Sequence, residues 1–185
     1  MHRRTAIKNL ALIIGGAALL PSCVHDSGKA SVKLKNIDIN ADQEKLIGDM
    51  AETIIPKTNT PGAKDLQLHL FVLKMVDDCC TKKDQQDFMT GMEQFNDLVK
   101  KRYSVSFSQC NVKQREQTLL SIEQDGKDAK STAYPAELKT FYGIVKGQTV
   151  NGYTTSKYFM TKQVVYELVP GRYNAFYPVK KKQAV

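Results

Sequence analysis

A chain of 185 residues, 42% hydrophobic and 25% charged, is long enough for one domain with its own core and too short for a large two-domain enzyme. Its hydrophobic fraction excludes wholesale disorder. The formal charge of +8 points toward nucleic acid or an anionic membrane, and the N-terminus decides how much of that charge counts.

Residues 1–22 carry Arg3, Arg4 and Lys8 and no acidic residue, followed by Cys23. Between them lies an uncharged, mostly apolar run over residues 10–20. As a helix it would rise about 16 Å, roughly half of a hydrocarbon core of about 30 Å, so it fits the hydrophobic region of an export signal rather than a membrane span. Arg3-Arg4 with Ile7-Lys8 behind them resembles a twin-arginine signal, whose export route accepts folded proteins. Leu20-Pro21-Ser22-Cys23 resembles a lipobox, in which the chain is cut before a cysteine that becomes diacylated. Removing three of the 27 basic residues with this segment leaves 24 against 19 acidic, a charge of about +5. The expectation is an exported lipoprotein on the periplasmic side of the envelope, anchored in the membrane through Cys23, with no nucleic acid as partner.

With Cys23 so used, Cys79, Cys80 and Cys110 remain, an odd number for an oxidising compartment. A bond between the neighbours Cys79 and Cys80 would close a strained ring. Two arrangements stay open: Cys79 or Cys80 paired with Cys110, or three reduced thiols on helix faces. No C-x-x-C, C-x-x-C-H or H-x-x-x-H spacing offers a zinc, haem or iron–sulfur site.

Residues 23–40 are polar, lack helical periodicity and read as a lipidated tether. A helix is predicted over 41–55, capped by Asn40 with Gln43, burying Leu46, Ile47, Met50 and Ile54 and stopped by Pro56. Thr60-Pro61 predicts the next helix start. That helix carries Leu68, Val72, Met75, Val76 and Cys79 on one face and Leu66, Leu70 and Leu73 on another, which predicts a central position. A third helix over 83–101, capped by Thr81, buries Phe88, Met92, Phe95 and Val99. A fourth over 112–124, capped by Asn111 and Gln114, buries Leu119 and Ile122. A fifth over 135–150 buries Leu138, Phe141, Tyr142 and Val145. Beyond Tyr153, residues 164–169 are of β type, Pro170-Gly171 marks a turn, and the chain closes on an aromatic stretch and a basic tail over 180–185. The fold class is mainly α: a single-domain bundle of four to six helices spanning 41–179, with an irregular aromatic C-terminal arm.

Reactive constellations are scarce. No nucleophile elbow, phosphate-binding loop or dinucleotide glycine motif is present. His69, inside a Leu-rich helix, reads as a surface or satisfied core histidine. Asp77-Asp78 points to two sides of one helix, a poor acid–base pair, with Asp78 bracing a neighbouring segment. Asp65 complements a helix dipole. No residue stands out as catalytic, cofactor-binding or metal-ligating.

Several segments taken together are recognisable. Ile54-Ile55-Pro56-Lys57-Thr58-Asn59-Thr60-Pro61-Gly62-Ala63 resembles the IIPxTxTPGA signature of the gluconate 2-dehydrogenase subunit 3 family. The similarity continues through Phe71-Val72, Met75-Val76-Asp77-Asp78-Cys79, Gln86-Asp87-Phe88-Met89-Thr90-Gly91-Met92, Gly152-Tyr153-Thr154-Thr155-Ser156 and Val169-Pro170-Gly171-Arg172-Tyr173. The resemblance implies a non-catalytic small subunit of a flavin-dependent dehydrogenase of the glucose–methanol–choline type. In such complexes the large subunit holds FAD and oxidises a sugar or sugar acid, and a cytochrome c subunit often carries the electrons onward. The small subunit's signal exports the folded, FAD-loaded partner, so this chain is expected to bind no cofactor itself. Partner contacts are expected at the loop carrying Thr58, Thr60, Pro61 and Gly62. A second expected set is Tyr153 and the arm residues Pro170, Gly171, Arg172, Tyr173, Phe176 and Tyr177, because exposed Pro, Gly and Tyr suit rigid aromatic contacts. The alternative is a free-standing envelope lipoprotein serving as a binding or scaffold module.

Overall fold

In the computed structural model, which describes residues 28–127, 132–164, 171 and 175–176, the first helix begins where the capping pattern puts it. The Asn40 side chain accepts from the Gln43 backbone N–H (2.9 Å), and the Gln43 side chain accepts from the Asn40 N–H (2.9 Å), starting α1 (Ala41–Ile54). Leu46, Ile47, Met50 and Ala51 are buried. After the loop come α2 (Leu68–Cys79) and α3 (Lys82–Tyr103). Thr81 caps α3 by accepting from the Asp84 N–H (3.2 Å). Lys100, Lys101 and Arg102 lie in its last turn, where cations suit the helix dipole. A 3-10 turn (Phe107–Gln109) leads to α4 (Val112–Lys127), where Asn111 and Gln114 repeat the reciprocal cap at 2.9 and 2.9 Å. α5 (Ala136–Thr154) and a π-helical turn (Phe159–Gln163) complete the described elements, among which there is no strand. The fold is thus a helical bundle. The β-type run beyond Val164 lies outside the described residues.

The core is built on aromatic edges: Phe88 meets Phe141 with ring centroids 5.1 Å apart, and Phe95 meets Phe107 at the same distance. Its hub is α5, which packs against all four other helices. The sequence pattern instead suggested α2. Leu70 on its second face and Met75 on its first are only half-buried, however, and Cys79 is exposed, so α2 is partly surface even though Val72, Leu73 and Val76 are core.

α2 also begins later than Thr60-Pro61 predicted. The backbone turns through 63–67, with Gln67 in the left-handed region at φ +52°, immediately before the helix. The reason is competition for backbone donors. The Ala63 N–H is taken by the Ile55 carbonyl (2.9 Å), and Leu68 N–H reaches back to the Ala63 carbonyl (2.9 Å). The chain is tied to the end of α1 instead of propagating a helix.

The tether reading fails from Gly28 onward, because residues 28–40 are strapped to the bundle. Lys29 and Asn40 form an antiparallel bridge, and the Ala41 N–H donates to the Gly28 carbonyl (3.2 Å). Ser31 donates its N–H and hydroxyl to the Glu44 carboxylate, both at 2.6 Å. At the strap's far end the buried Asp77 carboxylate accepts from the backbone N–H groups of Lys35 (2.9 Å), Asn36 (2.6 Å) and Ile37 (3.2 Å). Ala30, Val32 and Leu34 lean on the core while Lys29, Ser31, Lys33 and Lys35 face out, and Ile37 and Ile39 are buried. That alternation has the period of a strand, and absence of helical periodicity concealed it. The folded unit therefore begins at about residue 28, not 41. The bracing carboxylate is Asp77; Asp78 is exposed and pairs with Lys74 (3.4 Å).

Candidate interface loop

The segment after α1 is short and polar, yet it is held in one shape by two carboxylates, Glu52 and Asp65. Glu52, in the last turns of α1, accepts from the backbone N–H of Lys57 (2.9 Å) and of Lys64 (2.8 Å), the two ends of the loop. Inside that clamp Thr58 N–H donates to the Thr60 carbonyl (3.1 Å), and the two threonine hydroxyls are 3.3 Å apart. Gly62 N–H donates to Asp65 (3.2 Å), whose carboxylate also pairs with Lys57 (3.2 Å). The Lys57 ammonium and the Gly62 N–H hold the Asp65 carboxyl below its ordinary pKa. Asp65 thus braces the loop rather than a helix dipole. Gly62 is buried, and a Cβ there would come within 2.6 Å of both the Glu52 carboxylate and the Lys57 nitrogen. Only glycine lets the clamp close.

Pro56, Lys57, Thr58 and Asn59 face solvent, Thr60 and Pro61 are half-buried, and Ala63 is buried against Ala51 and Leu68. A cleft of about 220 Å³ adjoins the loop, lined by Glu52, Thr53, Pro56, Lys57, Arg115 and their neighbours, with exposed Val112 on its rim. Deeper, buried Asp49 takes the Lys64 ammonium on one oxygen and lies 3.7 Å from the Arg115 guanidinium. Its other oxygen is buried without a hydrogen-bond partner. Arg115 also donates to the Phe107 (3.1 Å) and Ser108 (2.7 Å) carbonyls, tying the 3-10 turn to the same place. Sequence reasoning missed Asp49, Glu52 and Arg115. An acid inside the apolar run Leu46-Ile47-Gly48-Asp49-Met50-Ala51 was the available signal for the first.

Among the residues expected to contact a partner, the structure brings Tyr153 beneath the loop. It packs on the Ala51, Ala63 and Leu68 cluster, with its ring 5.6 Å from Phe159 and 6.4 Å from Tyr158. Gly171 and Phe176 are exposed. Pro170, Arg172, Tyr173 and Tyr177, like Arg3, Arg4, Lys8 and Cys23, lie outside the described residues.

The three described cysteines are free: Cys79 exposed, Cys80 half-buried, Cys110 buried. No bond from Cys79 or Cys80 to Cys110 is made. The first two precede α3 and the third follows it, and 22 residues of helix span about 33 Å. Burial, with the Asp84 carboxylate and Cys79 beside it, pushes the Cys80 thiol up, and burial raises Cys110 likewise. His69 is neither on the surface nor fully satisfied. Its Nε2 is 3.7 Å from Glu44, its Nδ1 is buried without a partner, and burial lowers its pKa against the pull of Glu44. Among the described residues no group of three His, Cys, Asp or Glu side chains is placed to hold a metal ion, and no helix is long and apolar enough to cross a membrane.

Fold and site together define a small all-α protein whose most tightly braced surface feature is an exposed loop. The chain belongs to the gluconate 2-dehydrogenase subunit 3 family, whose model matches residues 41–171. It is accordingly an accessory subunit of a dehydrogenase complex, associated with the other subunits of that complex. No curated protein and no solved structure matches it. The matched span contains the loop and all five helices, and leaves out the strap.

Proposed function

We propose that this chain is the non-catalytic small subunit of a periplasmic FAD-dependent dehydrogenase, escorting the flavoprotein subunit through export and then holding it at the membrane. The family match carries the reading, in a chain that opens with Arg3-Arg4, an apolar run and Cys23. FAD sits in a folded large subunit, so export of the loaded enzyme requires a route that accepts folded cargo. One signal then serves both bound chains. FAD and hydride transfer belong to the partner, with a cytochrome c subunit as onward electron carrier.

The loop at Thr58, Thr60, Pro61 and Gly62, with Tyr153 behind it, is the surface assigned to the flavoprotein, and the C-terminal arm is assigned to the same partner. The Glu52 clamp supports this, because a loop already ordered loses little entropy on docking. The test is affinity purification of this chain from native membranes. A flavoprotein with flavin absorbance is expected to come with it, and recovery of the chain alone as a monomer overturns the proposal in favour of a free-standing lipoprotein. Truncation before Val169, with the helical circular dichroism retained, is expected to reduce recovery of the flavoprotein at least several-fold. Undiminished recovery removes the arm from the interface.

A further inference from the structure

The strap fixes where the membrane must lie. Gly28 is pinned to the start of α1 by the Ala41–Gly28 hydrogen bond (3.2 Å) and the Lys29–Asn40 bridge. Cys23 stands five residues before Gly28, and five residues of fully extended chain reach at most about 17 Å. A lipid on Cys23 therefore holds the N-terminal end of α1 within about 17 Å of the bilayer surface.

The side chains at that end match such a surface. Two open clefts flank the first turns of α1. One, of about 380 Å³, is lined by Lys29, Ser31, Glu44, Lys45 and His69 among others. The second, of about 390 Å³, is lined by Asn40, Asp42, Lys45 and Lys100 among others. Lys29, Lys45 and Lys100 are exposed around these clefts, and Lys101 and Arg102 extend the positive charge along the last turn of α3. Of the nearby acids, Glu44 is occupied by Ser31, while Asp38, Asp42 and Asp97 are exposed and leave the lysines and Arg102 in excess. The braced loop leaves the other end of α1, which is 14 residues and about 20 Å long.

We propose that the end of the bundle bearing Lys29, Lys45 and Lys100 docks on an anionic phospholipid surface, with the loop after α1 held about 20 Å farther into the aqueous phase. This rests on the membrane-anchor part of the function proposed above and adds an orientation to it. Each lysine at an anionic leaflet adds attraction within a Debye length of about 8–10 Å, and a leash of at most about 17 Å lets this end of the bundle come into that range.

The experiment uses the protein purified from its membranes, reconstituted into vesicles of phosphatidylcholine with phosphatidylglycerol, a fraction of which carries a photoreactive headgroup. Cross-linked peptides are mapped by mass spectrometry, and the intact mass reports separately whether Cys23 is acylated. Cross-links are expected on peptides holding Lys29, Lys45 and Lys100 and to be about tenfold rarer on loop residues 56–60; K45E/K100E, with unchanged circular dichroism, should cut them by a similar factor. Acylated protein with cross-links on the loop, or evenly spread, overturns the orientation while the anchor stands. Cross-links at the lysine end without acylation support the docking surface and overturn the anchor. Neither acylation nor cross-links overturns both.

Discussion

Asp77 illustrates how one side chain can hold a segment more than forty residues away in sequence. Burial by itself would raise its pKa, but three strap N–H groups, with Lys74 nearby, more than offset this and hold it below the ordinary carboxylate value. A folded-state pKa below the unfolded one means the contribution is full above the unfolded value and disappears as pH falls through the folded one. Asp77→Asn, which keeps one acceptor and loses the charge, should cost about 2–3 kcal/mol in urea unfolding at neutral pH and speed exchange of the 35–37 amides. Unchanged stability would disprove the clamp. Glu123 acts between α4 and α5: it binds Lys146 (2.7 Å), Lys127 (2.9 Å) and the Tyr142 hydroxyl (3.0 Å), which bring its pKa from 4.5 down to about 2. Its stabilisation is complete above pH 4.5 and is lost as pH falls toward 2. Because both lysines reach solvent, the effect is about 1–2 kcal/mol. Glu123→Gln should flatten the acid limb of the stability curve in that window, and carboxyl NMR titration of the wild type locates the midpoint. Tyr142, raised by burial and then by Glu123, remains the protonated donor throughout.

At the scale of elements, the contact between α3 and α5 depends on a missing side chain. A Cβ at Gly91 would lie 2.6 Å from the Phe141 Cβ and press on the Glu137 carbonyl, so the two helix backbones could not approach as they do. Gly91→Ala should cost about 2–3 kcal/mol, read as a lowered thermal midpoint with the helical spectrum retained. A midpoint equal to the parent's would show that the helices separate without cost. Helix starts follow a different logic. Asn40 with Gln43, Thr81, and Asn111 with Gln114 bond to groups three residues away, so these caps were legible in the sequence. Thr60-Pro61 has the same local look, but Glu52, twelve residues before Lys64, closes the loop over it and delays α2 to Leu68. A cap motif states what its neighbours permit and leaves open which distant group captures the donors first.

For the molecule as a whole, the strap decides the extent of the folded unit. Deleting residues 28–40 removes the apolar burial of Ile37 and Ile39 and strips Asp77 of its three backbone donors, leaving Lys74 as its charged neighbour. The expected loss is about 4–6 kcal/mol, a large share of the 5–15 typical of a domain. A chain beginning at Ala41 should melt well below one beginning at Gly28, and equal melting would show that the strap is an ornament of the fold.

By itself the sequence determined the all-α class, the five helices to within a few residues at most of their ends, most of the buried apolar positions, the signal-like N-terminus and the resemblance to the subunit 3 family. Each of these rests on periodicity, capping or contiguous motifs, which act over a few residues. Tertiary structure alone decided that α5 is the hub, that Glu52 makes the loop rigid, that the cysteines stand apart, and that residues 28–40 belong to the folded unit. Those outcomes depend on carboxylates and backbone donors meeting across long stretches of chain, and which of several competing partners is reached is settled only when the helices have packed.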